Sequence, residues 1–160
     1  MRFLGPGEYL FAQGEDAVSI ILGSCVALVG WNPDQRWLMA SHIMLPGWPT
    51  QAEADLRYAG VVMETWERDC ARQGWRLDSF RIGVFGGCSR MPGRRDSDLG
   101  VGDKNVDFVL EALRVRGLTI QAKDIRGPLA RRLVLDGKLG RYWSQTLTPL
   151  AEVSLREEGE

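Results

Sequence analysis

Residues 19–45 read SIILGSCVALVGWNPDQRWLMASHIML. Two runs of strand-forming residues, Val26 to Trp31 and Trp37 to Met44, flank Asn32-Pro33-Asp34-Gln35. Proline presets φ, and Asn and Asp suit turn positions, so the stretch predicts a β-hairpin. With the turn centred on Pro33-Asp34, Trp31 faces Arg36, and Cys25 faces His42, the only histidine of the chain. Directly opposed residues of an antiparallel pair share a face, with Cβ atoms roughly 4.5 to 5.5 Å apart. A slip of one residue would put the thiol and the imidazole on opposite faces.

That pairing has a chemical meaning. A thiol is mostly protonated at neutral pH, and a neighbouring imidazole can take the proton to leave a nucleophilic thiolate. The imidazole can later return the proton to a leaving group, and a third group usually orients it. Backbone N–H groups at a tight turn stabilise an oxyanion, and Gly23-Ser24 before Cys25 and the diglycine Gly86-Gly87 are the places where backbone can come close. The same pattern also fits a structural cysteine, since free Cys is among the most buried residue types.

Composition narrows the class. The chain has 160 residues, enough for one domain with a sizeable core, and 44% apolar and 26% charged content are ordinary for a soluble globular protein. Twenty basic and 21 acidic residues give a formal net charge of −1, so nothing in that balance draws the chain to nucleic acid or to a membrane surface. Three cysteines suit a reducing compartment better than a disulfide framework. MRFLGPGEYL lacks a long apolar run and no segment is long enough to span a bilayer, so a cytoplasmic protein without membrane insertion is expected.

Along the chain, Gly7 to Gln13 and Val18 to Leu22 read as strands before the hairpin. Leu45-Pro46-Gly47-Trp48-Pro49-Thr50 cannot continue a strand, and its place after His42 makes it either an active-site rim or an ordinary surface loop. Asp55 to Gln73 is the best helix, with Leu56, Ala59, Val62, Met63, Trp66 and Cys70 at helical spacing and Gly74 as stop. Cys70 therefore reads as core. Ser79 to Phe85 is a strand running into Gly86-Gly87-Cys88, and Met91 to Gly102 a glycine-rich loop. Lys104 to Arg116 is a second helix capped by Asp103. Leu118 to Lys123, Arg132 to Leu135 and Leu139 to Leu147 complete the strands, the last two joined at Asp136-Gly137-Lys138. This order predicts an α+β layered fold, two helices on a mainly antiparallel sheet system, as one domain over residues 1–150 with a polar, frayed tail over 151–160.

Other constellations fare worse. Cys25, His42, Cys70 and Cys88 lack the close ligand pairs of a zinc site, so no metal is expected. Gly100-Val101-Gly102 and Gly86-Gly87 complete neither a dinucleotide fingerprint nor a phosphate loop. The pairs Arg94-Arg95 and Arg131-Arg132 read as solvated surface.

Several motifs in register resemble the chemoreceptor glutamine deamidase family, CheD. They are Leu22-Gly23-Ser24-Cys25-Val26, His42-Ile43-Met44-Leu45-Pro46, Arg57-Tyr58-Ala59, Phe85-Gly86-Gly87-Cys88-Ser89-Arg90-Met91, Gly100-Val101-Gly102-Asp103-Lys104-Asn105, and Asp124 with Gly127 and Arg131. The similarity runs from about Gly7 to Tyr142. It implies a single α/β/β layered domain like that of cysteine-dependent deamidating toxins. It also implies hydrolysis of chemoreceptor glutamine side chains to glutamate, without a cofactor. The family's catalytic cysteine and histidine match Cys25 and His42, and its third member, a threonine, falls at Ser19. Serine keeps the hydroxyl but lacks the methyl that restricts χ1. Arg126 stands where the family's loop has its first glycine, and Lys104 where it has arginine. The resemblance brings as partners the receptor helices and a CheC-type phosphatase. The alternative reading is a binding module that docks such a phosphatase or a receptor helix with little catalysis.

Overall fold

Val26 to Asn32 is apolar at nearly every position because both of its faces are covered. The computed structural model describes residues 1–51, 54–89 and 100–148. Among these, nine strands and two helices form: β1 (Arg2–Phe3), β2 (Tyr9–Gln13), β3 (Ala17–Leu22), β4 (Val26–Asn32), β5 (Trp37–Ser41), α1 (Ala59–Gln73), β6 (Arg81–Gly86), α2 (Val101–Val115), β7 (Ile120–Ile125), β8 (Arg131–Asp136) and β9 (Arg141–Thr146). One sheet has the order β2-β5-β4-β6-β7, the other β1-β3-β8-β9. Pairings are antiparallel apart from β1 with β3 and β6 with β7.

Alternation along β4 divides the core in two. Val26 and Leu28 join Val62, Met63 and Trp66 of α1 and Val106, Val109 and Leu113 of α2. Ala27 and Val29 instead meet Val18, Ile20 and Leu22 of β3 and Leu133 and Leu135 of β8. The layers are therefore helices, five-stranded sheet, four-stranded sheet: the α/β/β arrangement. On the outer face of the four-stranded sheet Phe3, Ile21 and Trp143 are exposed.

The hairpin forms with a different register from the one expected. Trp31 pairs with Leu38 and Asn32 with Trp37. The turn takes four residues because Asn32 Oδ1 accepts from the N–H groups of both Asp34 and Gln35, and Arg36 closes it at φ 51. Arg36 thus belongs to the turn and does not face Trp31. The slide is by two residues, so every side chain keeps its face.

Other boundaries move for local reasons. α1 begins at Ala59 instead of Asp55. Arg57 is held by the Asp55 carboxylate at 2.6 Å, its carbonyl accepts from Met44 and Leu45, and the Tyr58 N–H donates to the Asp55 carbonyl at 3.2 Å, so residues 55–58 form a turn ahead of the helix. Gly74 stops the helix at φ 75, as its position suggests. α2 begins earlier than expected, after Gly100 at φ 91, and has no side-chain cap. Asp103 pairs with Arg126 at 2.6 Å instead of capping. Most of the expected 91–102 loop, and the 151–160 tail, lie outside the described residues. No described helix is long and apolar enough to cross a membrane.

Candidate active site

The corner between β3 and β4 brings Cys25 to the seam of the two sheets. Backbone bonds lock it from one side. The Cys25 carbonyl accepts from Gly87 N–H at 2.8 Å, and the Gly23 carbonyl accepts from Cys88 N–H at 2.8 Å. This explains the diglycine. Gly86 sits at φ 100, and a Cβ there would lie 2.3 Å from the Cys25 carbonyl oxygen. Gly87 sits at φ 72, and its Cβ would lie 2.2 Å from Val106 Cγ2 of α2. Gly23, Ser24 and Cys25 are all half-buried, whereas Cys70 and Cys88 are sealed at 1% and 2% exposure. The Cys25 side chain packs against the cluster between the sheets.

His42 follows β5 and is 4% exposed. Val26 and Ile43 exchange both backbone hydrogen bonds, at 2.9 and 2.8 Å, as the last bridge of the hairpin. Ala27 therefore stands opposite His42, and Cys25 opposite Met44. Cys25 and His42 become diagonal neighbours on one face, a spacing of roughly 7 to 8 Å between backbones that an imidazole can reach across.

The N-terminal segment wraps the histidine. Gly7 N–H donates to the His42 carbonyl at 2.9 Å, and His42 N–H donates to the Glu8 carbonyl at 3.2 Å. The ring nitrogen Nδ1 lies 2.9 Å from the Leu4 carbonyl. A carbonyl can only accept, so Nδ1 carries the proton and Nε2 is the basic nitrogen. Burial holds the His42 pKa below the ordinary histidine value, opposed by the Leu4 bond and by the Glu8 charge. The ring is thus biased toward the neutral form that a general base needs.

Ser19 reaches His42 only through the main chain. Its carbonyl accepts from Leu4 N–H at 2.9 Å, and the Leu4 carbonyl in turn holds the ring. The Ser19 side chain lies on the opposite face of β3 from Val18, Ile20 and Leu22, is 1% exposed, and its hydroxyl makes no hydrogen bond among the described residues. Leu4 carries no signal in the sequence, since any residue could supply a carbonyl.

The Trp48 loop packs on the helices. Trp48 covers Gly60, meets Phe108 edge-on at 5.4 Å, and donates to Glu64 at 2.8 Å. A groove of about 220 Å³ between the sheets is lined by Val29, Trp31, Phe85, Leu135 and Tyr142, and neither Cys25 nor His42 lines it. Among the described residues, no group of three or more His, Cys, Asp or Glu side chains is placed to hold a metal ion.

A family model for CheD chemotactic sensory transduction matches residues 44–146. The chain belongs to the CheD family. The matched range begins just after His42, but curated relatives align over most of the chain. "Probable chemoreceptor glutamine deamidase CheD 2" of Albidiferax ferrireducens is 31% identical over 153 residues, covering 92% of this chain and 88% of that protein. A "Probable chemoreceptor glutamine deamidase CheD" of Pseudomonas savastanoi pv. phaseolicola is 32% identical over 143 residues, 88% of this chain and 81% of its own. The protein of that name from Rhodopseudomonas palustris is 36% identical, over 80% of this chain and 61% of its own.

The loop from Asp124 to Arg131 acquires a physical reason here. Arg131, 2% exposed, donates to the Asp124 carboxylate at 3.0 Å and to the carbonyls of Asp124, Arg126 and Leu129, which ties the loop into a knot. Within that loop Arg126 holds φ 66, a left-handed conformation that favours glycine. Its guanidinium bridges Asp103 and Asp107 of α2, at 2.6 Å each.

Proposed function

We propose that this CheD protein is a protein-glutamine deamidase that converts glutamine side chains of chemoreceptors to glutamate, with Cys25 as nucleophile and His42 as general base and acid. The observation that carries this reading is the Leu4 carbonyl on Nδ1 of His42, which leaves Nε2 basic on the same sheet face as the half-exposed Cys25. The names of the relatives support the substrate class.

In the proposed reaction Nε2 takes the Cys25 proton, and the thiolate attacks the glutamine carboxamide carbon. The tetrahedral oxyanion is held by backbone donors around Gly23, Ser24 and Gly86, while the Gly87 N–H, already given to the Cys25 carbonyl, braces the corner. The C–N bond breaks as the imidazolium returns its proton, so ammonia leaves and a glutamyl thioester remains. Water, deprotonated by His42, adds to the thioester and releases glutamate and the free thiol. We assign the orienting of His42 to the Leu4 carbonyl. Ser19 serves through its own carbonyl, which holds the Leu4 peptide. A CheC-type phosphatase is the second partner that the reading includes.

The test is mass spectrometry of a chemoreceptor cytoplasmic fragment incubated with the protein. Glutamines should gain about 1 Da, the change of amide to acid, and Cys25→Ala or His42→Ala should lower the rate by at least about 10⁴-fold. A wild-type protein that leaves the fragment unchanged would refute the substrate; full activity in Cys25→Ala would refute the nucleophile.

A further inference from the structure

Sheets that pack face to face interdigitate to crystal-like density. Here they part over the groove of about 220 Å³ lined from both sheets. The gap has a cause in the sequence. Val29 pairs with Gly83 and Gly83 with Ala122, so the three positions form one row that faces the four-stranded sheet. The row shrinks from valine to glycine and alanine as it nears the edge at β7. Gly83 has no room for a side chain, because a Cβ there would lie 2.6 Å from the Phe85 ring. Val29, Phe85 and Leu135 give the groove an apolar floor, and Tyr142, 4.9 Å from the Phe85 ring, walls one side.

The rim has the opposite character. Gln121 is the extra residue of a bulge between β6 and β7. Its Oε1 accepts from the Ile82 N–H at 2.5 Å, so what the amide has left to offer is its N–H donors. Arg81 lies over the Trp31 ring at 6.0 Å, and Arg141 lines the same groove from β9. Both arginines are exposed. Eight other described arginines are ion-paired, and among the described residues these two are not. Asp136 is the one acid among the described lining residues. Its Oδ1 accepts from the N–H groups of Lys138 and Leu139 at 2.9 and 3.0 Å, which commits it to the hairpin turn.

We propose that this groove binds a small aromatic carboxylate, its ring on Val29, Phe85 and Leu135 and its charge between Arg81 and Arg141. Charge complementarity selects the head group: two guanidinium groups and an amide donor call for an anion, and the arginine fork matches a carboxylate. The aromatic walls select a ring. Size excludes larger occupants, since pockets for drug-sized ligands begin at roughly 300 Å³. A ring with a short acid chain fits, and a nucleotide or a peptide helix does not. Neither Cys25 nor His42 lines the groove, so the proposal stands apart from the deamidase reading.

The experiment titrates the full chain with phenylacetate in an isothermal calorimeter, beside phenylacetamide, which keeps the ring and loses the charge. The acid should bind with a Kd of about 1 mM or tighter. The amide should bind at least about tenfold more weakly. In proton–nitrogen spectra the Trp31 indole should shift at the same midpoint, while that of Trp48, packed on the helices, stays in place. Replacing both arginines, Arg81→Met with Arg141→Met, should bring the acid down to the affinity of the amide and leave the amide unchanged. Ala122→Phe, which fills the small end of the row, should abolish both. Absence of heat with the acid, equal affinity for acid and amide, or an unmoved Trp31 would each overturn the proposal. Those three readings come from the wild type alone, so a variant that failed to fold would not shield it. A chain that dimerises in sedimentation, with Trp31 shifting as it does, would give the groove to a second copy and overturn it too.

Discussion

Cys25 and Cys70 place the same atom in two settings. Cys70 lies on the inner stripe of α1 beneath Trp66 and Phe80, 1% exposed, and burial pushes its thiol pKa up to about 12. Cys25 sits where two sheets part, on a half-exposed corner braced by Gly87 and backed by Gly86. One thiol is surrounded by side chains that offer it nothing to react with. The other is held by backbone, beside a histidine whose tautomer is already chosen. On the proposed mechanism, the difference between the two thiols follows from the frame around the sulfur more than from the residue type.

The sharpest way to break that contrast is to measure both thiols. At neutral pH a thiol pushed to about 12 has a thiolate fraction more than about 10³-fold below that of an ordinary cysteine. Iodoacetamide should therefore label Cys25 more than about 10³-fold faster than Cys70, read by peptide mass spectrometry over time. Equal labelling would erase the distinction.

The bracing can be tested next. Gly86→Ala adds a Cβ against the Cys25 carbonyl at a backbone angle that L residues rarely adopt. It should cost about 2 to 3 kcal/mol of stability in denaturant unfolding, and lower deamidation by about 10²-fold through displacement of the nucleophile. A variant with wild-type rate would show that the corner tolerates movement.

Acid should act on both function and stability through His42. Because burial lowers its pKa, the acid limb of the deamidation rate should fall below the ordinary histidine value of 6.5. In the same window the unfolded chain binds a proton that the folded chain does not. This group's contribution to stability is thus complete above 6.5 and is lost as pH falls through that value toward the folded one. Rate profiles and denaturant midpoints from pH 8 to about 5 check both signs.

The smallest effect is expected at Ser19. Among the described residues its hydroxyl makes no hydrogen bond, so Ser19→Ala should change the deamidation rate by less than about threefold and leave stability within about 0.5 kcal/mol of wild type. A loss of 10² or more would return the orienting role from the Leu4 carbonyl to the hydroxyl.

Much of this was legible in the sequence, for reasons that differ from residue to residue. Apolar runs identified the strands, and the stripe through Val62, Trp66 and Cys70 identified α1 and removed Cys70 from the chemistry. Alternation put Cys25 and His42 on one face. It could not set the register, because a slide of two residues preserves every face, and the turn length came from the Asn32 side chain and the left-handed Arg36. Asp103 reads as a cap from its neighbours alone, but the charge of Arg126, distant in the chain, claims it.

The sequence by itself determined which residue types can do chemistry, a sole imidazole and a cysteine set among glycines, because side-chain identity and strand period are local properties. Only the tertiary structure decided what holds them. The Leu4 carbonyl that selects the His42 tautomer, the Cys25 carbonyl that demands glycine at 86, and the Ser24 and Met44 carbonyls that accept from the Asn105 amide are contacts of backbone with distant segments. Every residue carries the same backbone groups, so no pattern of letters distinguishes the ones that folding brings to the site.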